Sequence, residues 1–428
     1  MSTYDSMTRE QLKAEHDALT KEYDAFKAKG LALNMARGKP SDEQLKLSLP
    51  MMDMFTSKTD YHSESGENCL NYGNLTGIPE AKRLMGVLLD EDPENVIVGG
   101  NSSLALEFDA LSRLLDYGSM GSKPWYKYDH ISFIDLVPGY DRHFAMLEHF
   151  GIDMIPLPLF EDGPDMDEVE RIVAADDTVK GLICVPKYSN PSGYTLSDET
   201  VRRMASMKTA ADDFRIFWDN AYSMHHLSDD VAEQDKLLDI GLACREAGNP
   251  HRYIKFGSTS KITFAGSGIS GLAASPEVLK SAAGVMQIEM IGYNKVNQLM
   301  HGRFLDSEEA VIEHMKKHAE LLRPKFSLVI EKLEAQLAPL NLGSWTNPRG
   351  GYFIMFNTPE GCAKRTVQLA KDAGMVLTGA GSTWPHKVDP ADSDIRIAPS
   401  LPPIEELDAA MDLFCCCVKL AAVEALLN

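Results

Sequence analysis

Leu12, Leu19, Tyr23 and Phe26 fall on one stripe of a helical pattern that runs from Thr8 to Lys29, and Gly30 stands where that helix would stop. Ala36-Arg37-Gly38-Lys39-Pro40 reads as a loop. Short apolar runs then alternate with helical stretches. Strands are expected at Asn95 to Val98, His130 to Ile134, Met154 to Leu157, Gly181 to Val185, Arg215 to Trp218 and Tyr253 to Phe256, with a helix from Leu104 to Leu115. Strands separated by helices indicate a mostly parallel sheet covered on both faces. From about Glu308 the pattern changes. A long helix from Ala310 to Leu337 leads to a strand at Gly351 to Phe356, a helix from Lys364 to Ala373 and a last helix from Ile404 to Leu427. This predicts an arm over 1–45, a large α/β domain over 46–307 and a smaller α+β domain over 308–428.

Composition narrows the classes. The chain has 428 residues, 44% apolar and 25% charged, as in a soluble globular protein. Its net charge of −21 makes nucleic acid and anionic membrane poor partners. No apolar run is long enough for a spanning helix, and Met1 to Gly30 lacks the apolar core of a signal peptide, so the cytoplasm is expected. The seven cysteines have no zinc spacing and read as buried small hydrophobes in a reducing compartment; no metal site is expected.

In an open parallel sheet, ligands bind beyond the carboxyl ends of the strands. The residues that follow the expected strands are Gly99-Gly100-Asn101-Ser102-Ser103, Pro138-Gly139-Tyr140-Asp141-Arg142-His143, Asn190-Pro191-Ser192-Gly193, Asp219-Asn220-Ala221-Tyr222 and Ser258-Thr259-Ser260-Lys261. They converge an anion cradle, an aromatic ring, an amide, a carboxylate and a lysine. A phosphorylated pyridine aldehyde would use each of them. Free N–H groups at a helix start take phosphate, and a ring stacks on a flat heterocycle. A buried carboxylate keeps a ring nitrogen protonated, and a desolvated lysine forms a Schiff base.

With these motifs in this order, from about Asn34 to Arg396, the chain resembles the class I aminotransferases of pyridoxal-phosphate fold type I, and is most similar to their divergent aspartate-aminotransferase branch. The resemblance implies a mostly parallel seven-stranded sheet in the large domain, pyridoxal 5'-phosphate as cofactor, and ping-pong transfer of an amino group from an amino acid to a 2-oxo acid. Aspartate or glutamate is the implied donor and 2-oxoglutarate the acceptor. It implies that Lys261 holds the cofactor and moves the substrate's α-proton, that Asp219 pairs with the ring nitrogen, and that His143 supports Asp219. Asn190 and Tyr222 would bond the ring oxygen and Tyr140 would stack on the ring. Asn101, Ser102, Ser103, Ser258 and Ser260 would hold the phosphate. Arg396 would fork onto the substrate α-carboxylate, and Gly38 would sit in a loop that closes over it. Tyr72 would reach the other subunit's phosphate, which implies a homodimer.

One position departs from the family. Where an arginine usually grips the phosphate, this chain has Ile269, and Lys295 is a candidate replacement. Arg37, Lys39, Lys123 and Arg142 are candidates for a distal substrate carboxylate. Trp384 reads as a packing residue. The rival readings are another pyridoxal-phosphate reaction, β-elimination or decarboxylation, and a non-catalytic regulatory module.

Overall fold

The computed structural model describes residues 2–428. The large sheet has eight strands, in the spatial order 96–98, 270–273, 253–258, 215–219, 179–184, 132–137, 153–160, 163–164. The run from 253–258 to 153–160 is parallel. Strand 270–273 runs against both neighbours. Central strands 132–137, 179–184 and 215–219 are buried at every position, as a parallel sheet with helices on both faces requires. Strand 153–160 is exposed or half-buried except at Leu159 and contains Pro156 and Pro158. It tolerates them because only the two-residue strand 163–164 lies beyond it. That short strand is the eighth, beyond the seven expected. Strand 270–273 had no signal in the periodicity, since Ser270-Gly271-Leu272-Ala273 is short and small.

A second sheet joins 344–345, 354–357 and 394–397 antiparallel, which places Arg396 opposite Met355. Leu33 and Asn34 pair with Met375 and Val376, so the arm adds a strand to this part of the molecule. One apolar cluster joins Tyr4 to Met35 with residues 322–423, including Cys415, Cys416 and Cys417. Helices Arg9–Ala28 and Ile404–Leu427 pack within it. Helix Glu308–Gln336 runs from the large sheet's surroundings into this core. Among the described residues no helix is long and apolar enough to cross a membrane.

Candidate functional site

Thr259 closes the turn that presents Lys261. Its carbonyl accepts from Ile262 N at 2.9 Å and Thr263 N at 2.8 Å, and its hydroxyl accepts from Ile269 N at 3.0 Å. Ile269 is thereby a buried sheet-edge residue whose side chain faces apolar neighbours. Lys261 Nζ lies 4.9 Å from the centre of the Tyr222 ring. Burial depresses its ammonium below the ordinary lysine value, and the charges of Asp219 and Glu107 oppose that shift.

The turn opens onto a cavity of about 560 Å³ that gathers Gly38, Ser103, Tyr140, Asn190, Asp219, Tyr222, Lys261 and Arg396. Residues from five strand ends, the arm and the second sheet thus meet at one place. Asp219 ends strand 215–219, and its Oδ2 is 3.4 Å from His143 Nε2. Its Oδ1 is buried and has no hydrogen-bond partner among the described residues. A buried carboxylate that lines the cavity with hydrogen-bonding capacity to spare fits a cationic ring N–H. Arg396 Nη1 donates to Asn190 Oδ1 at 3.1 Å and pairs with Asp141 at 3.2 Å, and Nη2 donates to Thr378 Oγ1 at 3.1 Å. Its guanidinium lies 4.7 Å over the Phe353 ring. The same ring approaches Gly38 so closely that a Cβ there would come within 2.5 Å of it, so the loop needs glycine.

The residues expected to hold a phosphate are linked through their hydroxyls. Ser102 caps helix Ser103–Tyr117 by accepting from Ala105 N at 3.3 Å. Ser258 Oγ donates to Ser260 Oγ at 2.9 Å, and Ser260 Oγ donates to the Asn101 carbonyl at 3.0 Å. This chain of contacts ties the Lys261 strand end to the helix start. The donor set therefore suits a flat cationic heterocycle carrying an anionic arm.

Two of the expected cations lie elsewhere. Lys295 is buried against the Glu67 carboxylate in the Tyr72 loop, so its charge is already matched and it does not stand in for the missing arginine. Lys123 lies outside the cavity, with Nζ 3.8 Å over the Tyr128 ring. Tyr72, expected to reach the other subunit's phosphate, lies outside this chain's own cavity and is 84% exposed. Trp384 donates to Asp394 at 2.6 Å, which makes it a packing residue. Arg37, Lys39 and Arg142 do line the cavity.

Besides Phe353 and Thr378, two charged residues that the sequence did not single out join the site. Glu107, 1% exposed, lines the cavity with Oε2 3.1 Å from His143 Nε2. Its only sequence signal is spacing: it lies one helical turn after Ser103, on the same face. Lys387 also lines the cavity, on a segment where His386 and Lys387 adopt φ of 53° and 61°. A larger recess of about 760 Å³ lies near Arg83 and Asp239, but its cations are already paired, Arg83 with Glu64 and Arg245 with Glu91.

A profile of the aspartate amino-transferase family matches residues 7–428. The aspartate aminotransferase of Corynebacterium glutamicum is 44% identical over 420 residues, 98% of this chain and 96% of that protein. A crystal structure of an aspartate transaminase from Corynebacterium glutamicum shares 43% identity at a TM-score of 0.95, covering 99% of both chains. An α-aminoadipate aminotransferase from Thermus thermophilus, complexed with N-(5'-phosphopyridoxyl)-L-leucine, shares the fold at 19% identity and a TM-score of 0.72, covering 92% of this chain and 93% of that one. The chain belongs to the aspartate aminotransferase family of pyridoxal-phosphate-dependent enzymes.

Proposed function

We propose that this protein moves the amino group of aspartate or glutamate to a 2-oxo acid, with 2-oxoglutarate as the favoured acceptor. The observation that carries the reading is a desolvated amine, Lys261 Nζ, in one cavity wall with the unpartnered Asp219 Oδ1 and the Arg396 fork. Bound pyridoxal phosphate supplies an electron-withdrawing ring that stabilises negative charge at the substrate's α-carbon. The protein's residues do the rest. The Asp219 carboxylate would hold a proton on the ring nitrogen, Tyr140 would cover a ring face, and Asn190 and Tyr222 would bond its oxygen. Ser102, Ser103, Ser258 and Ser260 with Asn101 hold the phosphate. Arg396 binds the α-carboxylate bidentately. Lys261 Nζ is neutral more often than an exposed lysine and takes the α-proton.

A dicarboxylic substrate needs a second cation. Arg37, Lys39, Arg142 and Lys387 line the cavity and have no ion-pair or hydrogen-bond partner for their side chains among the described residues. In a chain of net charge −21, four unpaired cations around one cavity favour an anionic substrate. We further propose a homodimer in the cytoplasm, with 308–428 and the 1–45 arm acting as one small domain. Leu70, Tyr72, Ile288 and Ile291 are all more than half exposed, which favours a covered face there. The seven cysteines are unpaired, which suits a reducing compartment.

The test is the absorbance of the purified protein. A visible band of covalently held cofactor should appear, fade with aspartate or glutamate, and persist with alanine. Lys261→Ala should lack the band. A Lys261→Ala protein with wild-type spectrum and turnover would end the proposal.

A further inference from the structure

Outside the residues assigned above, one charged side chain touches the site without a role. Glu107 rises from helix Ser103–Tyr117 into the space behind Asp219, and neither of its oxygens has a hydrogen-bond partner among the described residues. Its nearest polar neighbour is His143 Nε2, at 3.1 Å. Asp219 Oδ2 approaches that same nitrogen at 3.4 Å. One polar atom from each of the three residues lies within 4.8 Å of the others, and all three are buried. An imidazole nitrogen carries a single proton, so two carboxylates face one N–H.

That count constrains the charges. Two buried carboxylates this close repel, and when both are ionised a single imidazolium between them leaves the group with a net charge of one negative. Without a second carboxylate, a charged His143 would cancel Asp219, and a neutral His143 would leave Asp219 alone against the ring. Burial by itself disfavours the imidazolium, but the facing Glu107 and Asp219 outweigh it and hold His143 above its ordinary value. Burial, with the Asp219 charge adding, raises Glu107.

We propose that Glu107 is a positioning residue of the ring-nitrogen site: its carboxylate, at ion-pair distance from His143 Nε2, keeps the imidazole charged, and so leaves the Asp219 carboxylate free for the cofactor's ring nitrogen. The inference rests on the aminotransferase reading for the identity of the ring, but not for the state of His143. The other groups that face these three are few. Asp135 lies buried on strand 132–137 near His143, and the Tyr140 ring centre is 5.1 Å from that of His143. Lys261 faces Glu107 and Asp219 across the cavity, while Tyr222 and Cys184 lie near Asp219.

The experiment has two arms, on wild type, Glu107→Gln and Glu107→Asp. In the first, the imidazole signals of histidine-labelled apoprotein are titrated by NMR, with His143 assigned from a His143→Asn spectrum. Glu107→Gln should lower the His143 midpoint by about 1–3 pH units, the effect of removing one opposite charge at this range. Glu107→Asp should restore part of the shift. In the second, the visible band of the holoprotein is titrated and cofactor affinity is measured. Glu107→Gln should move the band's pH dependence and weaken cofactor binding about tenfold, with partial rescue by Asp. A His143 midpoint that is the same in all three proteins overturns the proposal, as does a wild-type band titration in Glu107→Gln. Should Glu107→Gln not fold, the Asp variant decides, because its shorter reach must still shift the midpoint. Failure of the wild type to bind cofactor would overturn the aminotransferase reading while leaving the His143 arm standing.

Discussion

On the cavity side of the turn that carries Lys261, His143 lies between two carboxylates. On the other side lie four histidines with no carboxylate partner among the described residues: they meet carbonyls, hydroxyls and an amide, and His314 and His318 also meet each other, Nε2 to Nε2 at 3.3 Å. His225 Nε2 is 3.4 Å from the Lys261 carbonyl. His314 and His318 donate from Nε2 to the Ile262 carbonyl at 2.8 and 3.0 Å. His301 Nε2 accepts from Thr263 Oγ1 at 2.8 Å. Burial lowers all four, His318 to about 3 and His301 to about 4. Hydrogen bonding gives the same answer for His318. Its Nδ1 accepts from Gln44 Nε2 at 3.0 Å while Nε2 donates, so an added proton would face an N–H. The same side chain is thus held charged in front of the lysine and neutral behind it, and burial is common to both. What differs is the neighbour: a carboxylate outweighs desolvation, and a carbonyl does not.

The comparison breaks most severely at Asp219. Asp219→Asn keeps the shape and removes the charge that faces His143 and the ring. We expect kcat/KM to fall by about 10²–10³-fold, the size of losing one preorganised charge at a reacting centre. His143 should also titrate lower in the variant than in wild type. Steady-state kinetics and the imidazole NMR signals check the two effects; a loss under about threefold would remove Asp219 from the mechanism.

The two sides were unequally legible in the sequence. Strand ends announce themselves, because an apolar run followed by Asp219-Asn220-Ala221-Tyr222 or Ser258-Thr259-Ser260-Lys261 locates both the element and its tip. Lys261, Asp219, Asn190 and Tyr140 could therefore be brought to one cavity before any coordinates, whereas Arg396, on a strand that the periodicity did not mark, was placed there by the family resemblance alone. Glu107 could not, since a glutamate in a helical run reads as solvated until the packing of the helix is known. The same limit applies to the histidines. His314 and His318 share a helix face by spacing, but only the docking of helix Glu308–Gln336 on the 259–263 turn gives them the Ile262 carbonyl. Lys123 and Lys295 failed for the converse reason. A cation's availability depends on partners distant in sequence, here Tyr128 and Glu67.

A weaker break is expected behind the lysine. His318→Leu removes one of the two acceptors of the Gln44 amide, the other being the Tyr352 hydroxyl at 2.8 Å, and costs about 1–3 kcal/mol, read as a lower urea midpoint at pH 7.5. The pH dependence sharpens the contrast. Between about 3 and the ordinary value near 6.5, the unfolded chain binds a proton at His318 that the folded one does not. Stability from this group is therefore complete above about pH 6.5 and declines as pH falls toward 3. His143 runs the other way: its folded value is raised, so its contribution is complete below 6.5 and is lost as pH rises. Urea midpoints taken from pH 7.5 to 5 should drop for wild type and drop less for His318→Leu. Parallel curves would mean that His318 does not titrate in this window.

The smallest effect concerns the cations that neither carboxylates nor carbonyls claim. Arg142 begins helix Asp141–His149 beside Asp141, which is paired with Arg396, and its own guanidinium is unpaired among the described residues. Lys387 reaches the same cavity on two consecutive left-handed residues, a backbone that costs roughly 1–3 kcal/mol per residue unless its surroundings hold it. They do hold it: Lys387 N donates to the Trp384 carbonyl at 3.1 Å, and the Lys387 carbonyl packs against Gly381. A charge-assisted bond to a substrate's distal carboxylate is worth about 1.5–3 kcal/mol, against nothing for a substrate that lacks the group. Arg142→Ala and Lys387→Ala should each lower kcat/KM for aspartate by about tenfold while leaving that for alanine within about twofold. The pair need not be equal, and whichever variant changes the aspartate-to-alanine ratio more holds the nearer cation. Two variants that lower both substrates alike would instead assign these cations to the cofactor's phosphate.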